Sequence, residues 1–434
     1  YWAWDPVENG SLIPWLIGTA FVHTLMAWQY SGMLKKSSIA LAIAGFAMCN
    51  FATFLTRSGI FSSLHAFSQS PIGWLFLGLM LVICVGGTIL ILRHRHALGT
   101  DRRVKNFWTR ESLIVVSTIT LVTLAAVTLA GTLSVALSDA IVGRRIIVGP
   151  PFYNHVLIPV ALVLLATMAA APLFRWSAEP SPKQKRAFKY SAAVASVSLM
   201  VVWFFGVRHP LGWVIGWLAS FSIATHSACL ALELWQRNDR QPWTALGTTL
   251  RLNRKLYAGF LIHIGFISIA VGLTGSSLGT RREELVMKQG QIVQWAGRTI
   301  QFRQLIERDL GDKYVVEAEL IVSRGEADAY RLLPAQHLHR LQDQWTTEVD
   351  IHSTWRGDFY TILHYGEGDD EVRLTLVENP LMRWIWFGAL VIVAATTLRL
   401  FPSRQFQNQP RIATQLIQRS GIRGKRRALE TVGT

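Results

Sequence analysis

Long apolar segments recur along the chain, separated by short polar stretches that are rich in Lys and Arg. An apolar helix of roughly 20 residues is long enough to cross the hydrocarbon core of a bilayer. The apolar pattern predicts nine such helices, over residues 11–30, 37–56, 72–92, 113–133, 155–174, 191–207, 213–235, 256–278 and 381–400. The pattern therefore indicates an all-α polytopic membrane bundle, in agreement with a content of 51% hydrophobic residues.

The stretch between the eighth and ninth predicted helices has a different pattern. Residues 279–380 hold most of the acidic residues and no apolar run long enough to span a membrane. Apolar and polar side chains alternate in pieces such as 297–303, 313–322 and 371–377, and this period of two is typical of half-buried antiparallel strands. We therefore expect one mainly-β domain between the last two helices.

These patterns divide the chain into four parts. We predict an eight-helix membrane bundle over residues 1–278, a β-rich domain over 279–380, a final helix over 381–400 and a basic tail over 401–434. Because the tail is rich in arginine and poor in apolar periodicity, we expect it to be cytoplasmic and largely without a fixed structure.

The formal net charge of +16 at pH 7 is explained by its distribution. Lys and Arg concentrate in the loops after the first, third, fifth and seventh predicted helices, at 35–36, 93–105, 175–189 and 237–255. The positive-inside rule makes these loops cytoplasmic. The N-terminal stretch, the loop after the second helix and the β-rich domain are then extracytoplasmic, and we expect no nucleic-acid partner.

The sequence lacks the signatures of several other classes of protein. Cys49, Cys84 and Cys229 lie singly in apolar segments without CxxC spacing, so we interpret them as buried small hydrophobic residues. There is no Gly-rich phosphate loop, no Ser-His-Asp arrangement and no zinc-ligand spacing. These absences argue against an ATP-driven pump or a hydrolase, and the catalytic residues stay unknown.

Aromatic and acidic side chains are concentrated just before and within the first predicted helix. Trp2, Trp4 and Trp15 would offer flat apolar surface, and Asp5 and Glu8 would add polar groups. One interpretation is a binding surface for a large planar ligand. The alternative is an interfacial belt, in which Trp and Tyr side chains anchor a helix at the level of the lipid headgroups. On their residue types alone, both interpretations stay open.

Three histidines, His23, His226 and His263, fall inside predicted membrane helices. An ionisable residue within a membrane span is by default a candidate functional residue. His23 and His263 each lie about 10 Å from the cytoplasmic end of their helix, at the rise of an α-helix. Two axial ligands of one haem iron require such matching depth. His226 lies at a similar depth, with Thr225 and Ser227 beside it as local partners, so the geometry leaves the pair open.

The segment Trp4-Asp-Pro-Val-Glu-Asn9 resembles the tryptophan-rich WWD signature of haem-handling membrane proteins, in the form found in CcmF-type cytochrome c haem lyases. The loop motif Phe-Leu-Thr-Arg-Ser-Gly…His-Ala-Phe at 54–67 and Arg-Trp-Ile-Trp at 383–386 are similar to the same family. The resemblance covers essentially the whole chain, which looks like the C-terminal two-thirds of such a lyase, starting at the WWD motif. Since the sequence begins at Tyr1 without a signal-peptide pattern, we expect a fragment or a split subunit.

The resemblance implies a set of haem ligands. It assigns His23 and His263 as the axial ligands of an embedded b-type haem (haem b), which would act as an electron relay. It assigns His65, in the loop after the second helix, as a ligand of iron in an external haem. In the family the second external ligand lies upstream of the WWD motif, so missing residues or a separate polypeptide with the N-terminal region would supply it.

The resemblance also suggests roles around the WWD motif. Trp2, Trp4 and Trp15 would contact haem by stacking or by their edges. Asp5 and Glu8 would contact haem or shape the motif, and we favour shaping because a bare carboxylate repels the haem propionates. Arg57 could pair with a propionate, since guanidinium binds carboxylate bidentately, or could be an interface arginine that reaches toward the headgroups.

The resemblance implies a role in cytochrome c maturation. Such a lyase receives haem from a membrane-anchored haem chaperone and promotes thioether bonds to the CxxCH cysteines of apocytochrome c. Expected partners are that chaperone, apocytochrome c, the thioredox and lyase-complex subunits that present it, and quinol. The expected location is the bacterial inner membrane or its organellar equivalent.

Three alternatives stay open at this point. The chain could be a haem transporter or chaperone of the same WWD family without bond-forming activity. It could belong to the nitrite-reductase-assembly branch of the family. It could also be a solute transporter whose tryptophans form only an interfacial belt.

Overall fold

The computed structural model describes residues 2–61, 63, 70–99, 104, 106–144, 146–204, 206–237, 242–325, 328–364 and 371–400. Nine helices among these residues are long and apolar enough to cross a membrane. The helices are α1 (Pro6–Ser31), α2 (Lys35–Arg57), α3 (Ile72–Arg93), α4 (Arg110–Val142), α5 (Pro150–Ala170), α6 (Pro182–Phe204), α7 (Pro210–Arg237), α8 (Pro242–Leu252), α9 (Arg254–Gly279) and α10 (Met382–Leu400). The predicted fold class is confirmed, with the short helix α8 as an addition.

Several helices are longer than their apolar segments. Helix α4 begins at Arg110, where the side chain of Thr109 accepts a hydrogen bond from the Ser112 N–H, and it ends at Val142, before the left-handed cap residue Gly143. Helix α6 begins at Pro182, about two and a half turns before the predicted start at residue 191. Hydropathy locates only the lipid-facing part of a helix, and capping residues set its ends.

The described residues form two compact units. The first comprises Tyr1–Arg208 and Trp213–Cys229, and its main core lies where α1 packs against α2 and α4. Small residues allow this close packing: Ala20 is fully buried, and a Cβ on Gly10 would lie 3.1 Å from Leu55 Cδ1.

The second unit comprises His209–Gly212 and Leu230–Thr434, and in it α9 packs along α10. Glycines line this crossing, and a Cβ on Gly265 would lie 2.7 Å from the carbonyl oxygen of Gly388. The predicted boundaries at 278, 380 and 400 stay predictions. The predicted basic tail 401–434 lies outside the described residues.

The β-rich domain of the second unit consists of two antiparallel sheets, one with strand order β1-β10-β9-β8 and one with order β2-β3-β4-β6-β7, to which β5 adds by pairing with β4. Buried side chains such as Phe302, Leu320, Phe359 and Leu374 form its core. The strands are β1 (Arg281–Lys288), β2 (Ile292–Trp295), β3 (Arg298–Asp309), β4 (Lys313–Arg324), β5 (Asp328–Leu332), β6 (Ala335–His339), β7 (Gln344–Glu348), β8 (Asp350–Ser353), β9 (Gly357–His364) and β10 (Glu371–Pro380). The predicted mainly-β domain between the last two membrane helices is confirmed.

Candidate functional site

The carboxylates of the WWD motif fix the start of α1. Asp5 is the N-cap, and its Oδ2 accepts a hydrogen bond from the Val7 N–H at 3.1 Å. Glu8 Oε2 accepts from the backbone N–H of Asp5 at 3.2 Å and of Ala3 at 2.8 Å, which completes a capping box. These hydrogen bonds are the ones that a shaping role requires. Contact of Asp5 or Glu8 with haem stays a prediction.

Asp5 also joins the motif to the loop after α2. Ser63 Oγ donates a hydrogen bond to Asp5 Oδ2 at 2.5 Å. The base of this loop is tight, because the Ser70 N–H donates to the Arg57 carbonyl at 3.1 Å and a Cβ on Gly73 would lie 2.8 Å from Ser58 Cα. His65, the predicted external haem ligand, belongs to this loop but lies outside the described residues.

Trp4 is held in one orientation by α5. Its ring stacks on Tyr153, with centroids 4.7 Å apart and planes 7° from parallel. Its Nε1–H donates to Asn154 Oδ1 at 3.1 Å, and Trp2 packs against it in a T-shaped arrangement with centroids 6.1 Å apart. We call Trp2, Trp4 and Tyr153 the aromatic platform.

A buried amide lies beneath the aromatic platform. Asn9 is fully buried and donates from Nδ2 to the Trp4 carbonyl and to Thr132 Oγ1, both at 3.1 Å. Gly131 of α4 makes room for Tyr153, since a Cβ there would lie 2.7 Å from the Tyr153 hydroxyl. Sequence reasoning missed Thr132, Tyr153 and their neighbour Asn154, because no spacing rule links them to a motif more than a hundred residues away.

The other two motif tryptophans keep much of their surface exposed. Trp2 is 41% exposed, and Trp15, further along α1, is 48% exposed. One face of Trp4 is covered by Tyr153, so Trp4 forms a wall of the site, and Trp2 and Trp15 have the larger exposed fractions. A rigid aromatic wall with exposed indoles suits stacking with a planar π system. Haem contact by these residues stays a prediction.

His23 and His226 each bind a carbonyl of their own helix. His23 Nδ1 lies 2.8 Å from the Thr19 carbonyl, and His226 Nδ1 lies 2.7 Å from the Ser222 carbonyl. A carbonyl only accepts hydrogen bonds, so each Nδ1 carries the proton and the lone pair lies on Nε2, the atom that an axial ligand uses. The local-bonding alternative therefore describes both histidines and does not discriminate between them.

The predicted ligand pair is divided between the two compact units. His23 lies on α1 of the first unit, and the half-buried His263 lies on α9 of the second. Their joint ligation of a haem stays a prediction. The role of Arg57, the exposed last residue of α2, also stays a prediction.

Cysteines and metal-ligand clusters add no further site among the described residues. Within them, no three or more His, Cys, Asp or Glu side chains are grouped so as to hold a metal ion. The prediction that all three cysteines are buried is wrong: Cys84 and Cys229 are only partly buried, and Cys49 is exposed. Its position in an apolar helix does not bury it, because the outer face of a membrane helix contacts lipid rather than protein.

Comparison with known proteins yields one consistent group of relatives. A family described as "Cytochrome C assembly protein" matches residues 1–62. The CcmF protein of Pseudomonas aeruginosa is 29% identical over 98% of this chain and 64% of its own length. That of Pseudomonas fluorescens is 31% identical over 90% of this chain and 58% of its own length.

Two further comparisons bear on branch and fold. The NrfE protein of Haemophilus influenzae is 24% identical over 94% of this chain and 63% of its own length. A solved structure titled "Cytochrome c Heme Lyase CcmF" covers 93% of this chain with a TM-score of 0.70 and 22% identity, a likeness that concerns the fold. The chain spans 58% to 64% of the length of these three relatives. The resemblance predicted from the WWD motif is confirmed: over nearly its whole length, this chain is similar to CcmF-type cytochrome c-type biogenesis proteins.

Proposed function

We propose that this chain acts in cytochrome c maturation by holding haem at the start of α1 and promoting its thioether attachment to the CxxCH cysteines of apocytochrome c. The observation that carries the proposal is the aromatic platform, in which Tyr153 and Asn154 fix Trp4 beside the exposed Trp2. Fixing the orientation of a planar substrate converts binding into catalysis by proximity. The haem would come from a membrane-anchored haem chaperone.

In this site, some side chains stabilise the local backbone and others are accessible to a ligand. Asp5 and Glu8 are engaged in the helix cap, so the haem propionates would meet a positive partner elsewhere, and Arg57 at the end of α2 suits that role. The Ser63–Asp5 hydrogen bond joins the motif to Ser63, two residues before His65 in the sequence. His65 would bind the iron from the loop after α2, and the second ligand would come from upstream residues or a separate polypeptide.

We further propose that His23 and His263 hold an embedded b-type haem. The lone pair on His23 Nε2, set by the hydrogen bond of Nδ1 to Thr19, fits an axial ligand. Bound there, the haem would supply one-electron transfer, with quinol as the donor class. The basic loops 35–36, 93–105 and 175–189 support an orientation with the WWD motif and the β-rich domain extracytoplasmic in the bacterial inner membrane or its organellar equivalent.

The second candidate function is haem transport or delivery without bond formation. The same platform would serve it, and the similarity to an NrfE protein keeps the nitrite-reductase-assembly branch open for either function. Apocytochrome c would be the partner of a lyase, together with the thioredox and lyase-complex subunits that present it.

Reconstitution separates the two functions. The chain, with any N-terminal partner polypeptide, is combined in liposomes with haem-loaded chaperone and reduced apocytochrome c, and haem that survives denaturing electrophoresis is measured. If the chain is a lyase, covalently bound haem should form, and its amount should fall strongly in the Trp2→Ala, Trp15→Ala double variant. Transfer of haem without a covalent product would support the transporter and overturn the lyase.

A further inference from the structure

The hairpin turn between β8 and β9 carries an exposed tryptophan next to the start of α10. We call residues Thr354, Trp355, Arg356 and Gly357 the Trp355 turn. Trp355 is 56% exposed, in contrast to the buried side chains that form the core of the same domain. Such a large apolar ring at a turn requires an explanation, because turns are usually polar.

The Trp355 turn is rigid and tied to the membrane helix. Thr354 closes the turn, with its N–H and Oγ1 donating to the Gly357 carbonyl at 3.0 Å and 2.8 Å. The Leu381 N–H, one residue before α10, donates to the Arg356 carbonyl at 3.0 Å. A Cβ on Gly357 would lie 2.7 Å from the Asn379 carbonyl oxygen. The turn therefore keeps a fixed height relative to the start of α10.

The Trp355 ring lies level with the first two turns of α10. The Trp355 ring lies 6.1 Å from the ring of Trp384 and 5.9 Å from that of Phe387, measured between centroids. Phe387 lies roughly 8 Å along the helix axis from Met382, at the helical rise. Because α10 is apolar enough to span a bilayer from Met382 to Leu400, a β-domain side chain lies at the depth of a membrane span.

We propose that the Trp355 turn inserts into the lipid interface beside α10 and anchors the β-rich domain to the bilayer surface. Indole rings favour the headgroup level, where the ring is out of water and its N–H stays hydrated. Exposed Arg356, next in the chain, is placed to meet lipid phosphates. The partner that contacts this surface is the lipid bilayer.

Quenching by lipid tests the proposal on the full chain in nanodiscs. In a Cys49→Ala, Cys84→Ala, Cys229→Ala background, a single cysteine replaces Trp355 and is labelled with an NBD fluorophore. Phosphatidylcholine spin-labelled at acyl carbon 5 reports lipid contact, and iodide reports water contact. Two reference sites use Trp386→Cys, on α10 and 69% exposed, and Leu341→Cys, in a turn of the β domain and 91% exposed.

The expected result is that the label at 355 resembles the label at 386. Spin-labelled lipid should quench it about threefold more than the label at 341, and iodide correspondingly less, as for a group at interfacial depth. Because Trp355→Cys could loosen the turn, Arg356→Cys with Trp355 retained is measured in parallel and should also be quenched by lipid. A label that iodide quenches as strongly as at 341 overturns the proposal. So does a label that neither quencher reaches, since protein would then cover the turn.

Discussion

Trp4 has a backbone φ of 61°, a conformation that side chains other than glycine rarely adopt. Holding it costs on the order of 1 kcal/mol, which the surrounding contacts must offset. The stack on Tyr153 and the hydrogen bond to Asn154 come from α5, and the Asn9 amide that donates to the Trp4 carbonyl comes from α1. Backbone strain that is held from several sides is typical of functional sites.

Replacing Tyr153 should weaken haem binding at the platform. Tyr153→Leu removes the ring under Trp4, and the loss of about 1 kcal/mol of stacking corresponds to roughly fivefold weaker binding. Haem titration followed by absorbance measures this in a His23→Ala, His263→Ala background, which removes the proposed embedded site. Tyr153→Phe keeps the ring and serves as the matched control. Equal affinity of the Leu and Phe variants would contradict a role for the stack.

The sequence predicted the exposed and acidic residues of the motif. It did not predict the residues of other helices that pack against the motif and hydrogen-bond to it. Trp2, Asp5 and Glu8 lie within one short segment, whose composition and similarity to WWD proteins draw attention to it. Tyr153 and Thr132 come to the site only because α4 packs against α1 and α5 packs against α4, and a single sequence does not encode that adjacency in any spacing. The support of a site is therefore harder to predict than its binding face.

At the scale of elements, the length of the apolar segments predicted which segments form membrane helices. It did not predict the residues at which those helices begin and end. Each membrane helix was predicted because about twenty apolar residues must match the bilayer thickness. The first turn of α4 and the first two turns of α6 are polar, so hydropathy excludes them although capping and helix propensity extend the helices. The contact of α4 with α5 depends instead on a small residue, Gly131.

Gly131→Ala should lower stability by forcing α4 and α5 apart. The added Cβ would lie 2.7 Å from the Tyr153 hydroxyl and 2.8 Å from its ring, so we expect a loss of about 1–3 kcal/mol, the range for overpacking. The matched control is Gly78→Ala in α3, where a Cβ meets nothing within 4 Å. Thermal unfolding of the purified variants in detergent compares them. A Gly131 variant as stable as the Gly78 variant would show that the packing relaxes freely.

The turn between β3 and β4 should loosen in acid. The Gly311 N–H bonded to Asp309, assisted by Arg340, lowers the pKa of the Asp309 carboxyl below its ordinary value. A lowered pKa in the folded state means that the stabilisation is complete above the ordinary Asp pKa and is lost as pH falls through the lowered value. Amide exchange at 309–313, normalised for intrinsic rates, should therefore increase in that acidic window.

The control for this prediction is Asp309→Asn, which removes the titrating group while keeping the size of the side chain. Its turn should exchange faster than the wild type at neutral pH and show no further change in acid. If the variant and the wild type respond to acid alike, another group controls the turn.

At the scale of the whole molecule, the ligand assignment depends on residues from both compact units. His23 lies in one unit and His263 in the other, so the assignment came from similarity and depth rather than from local sequence. His226 has an equivalent intrahelical hydrogen bond and shares the first unit with His23, which makes it the natural competitor.

A b-type visible spectrum should depend on His23 and His263 together. In detergent-purified chain supplied with haem, we expect low-spin absorption bands that are lost in the His23→Ala, His263→Ala double variant, because both axial ligands are removed. His226→Ala should retain the bands, and matching thermal unfolding would establish that all proteins are folded. A colourless wild type, or bands that vanish only with His226→Ala, would reject the assigned pair.

The β-rich domain continues into its two membrane helices almost without linkers. One residue separates α9 from β1 and one separates β10 from α10, and β1 and β10 are paired from Arg281 with Glu378 onward. Thr280 Oγ1 donates to Asn379 Oδ1 at 2.8 Å across the two joins. Because a single residue links each of these strands to its helix, we expect any tilt of the domain to be transmitted to α9 and α10 together, as by a lever. We expect His263, roughly 24 Å along α9 from that join, to move with them.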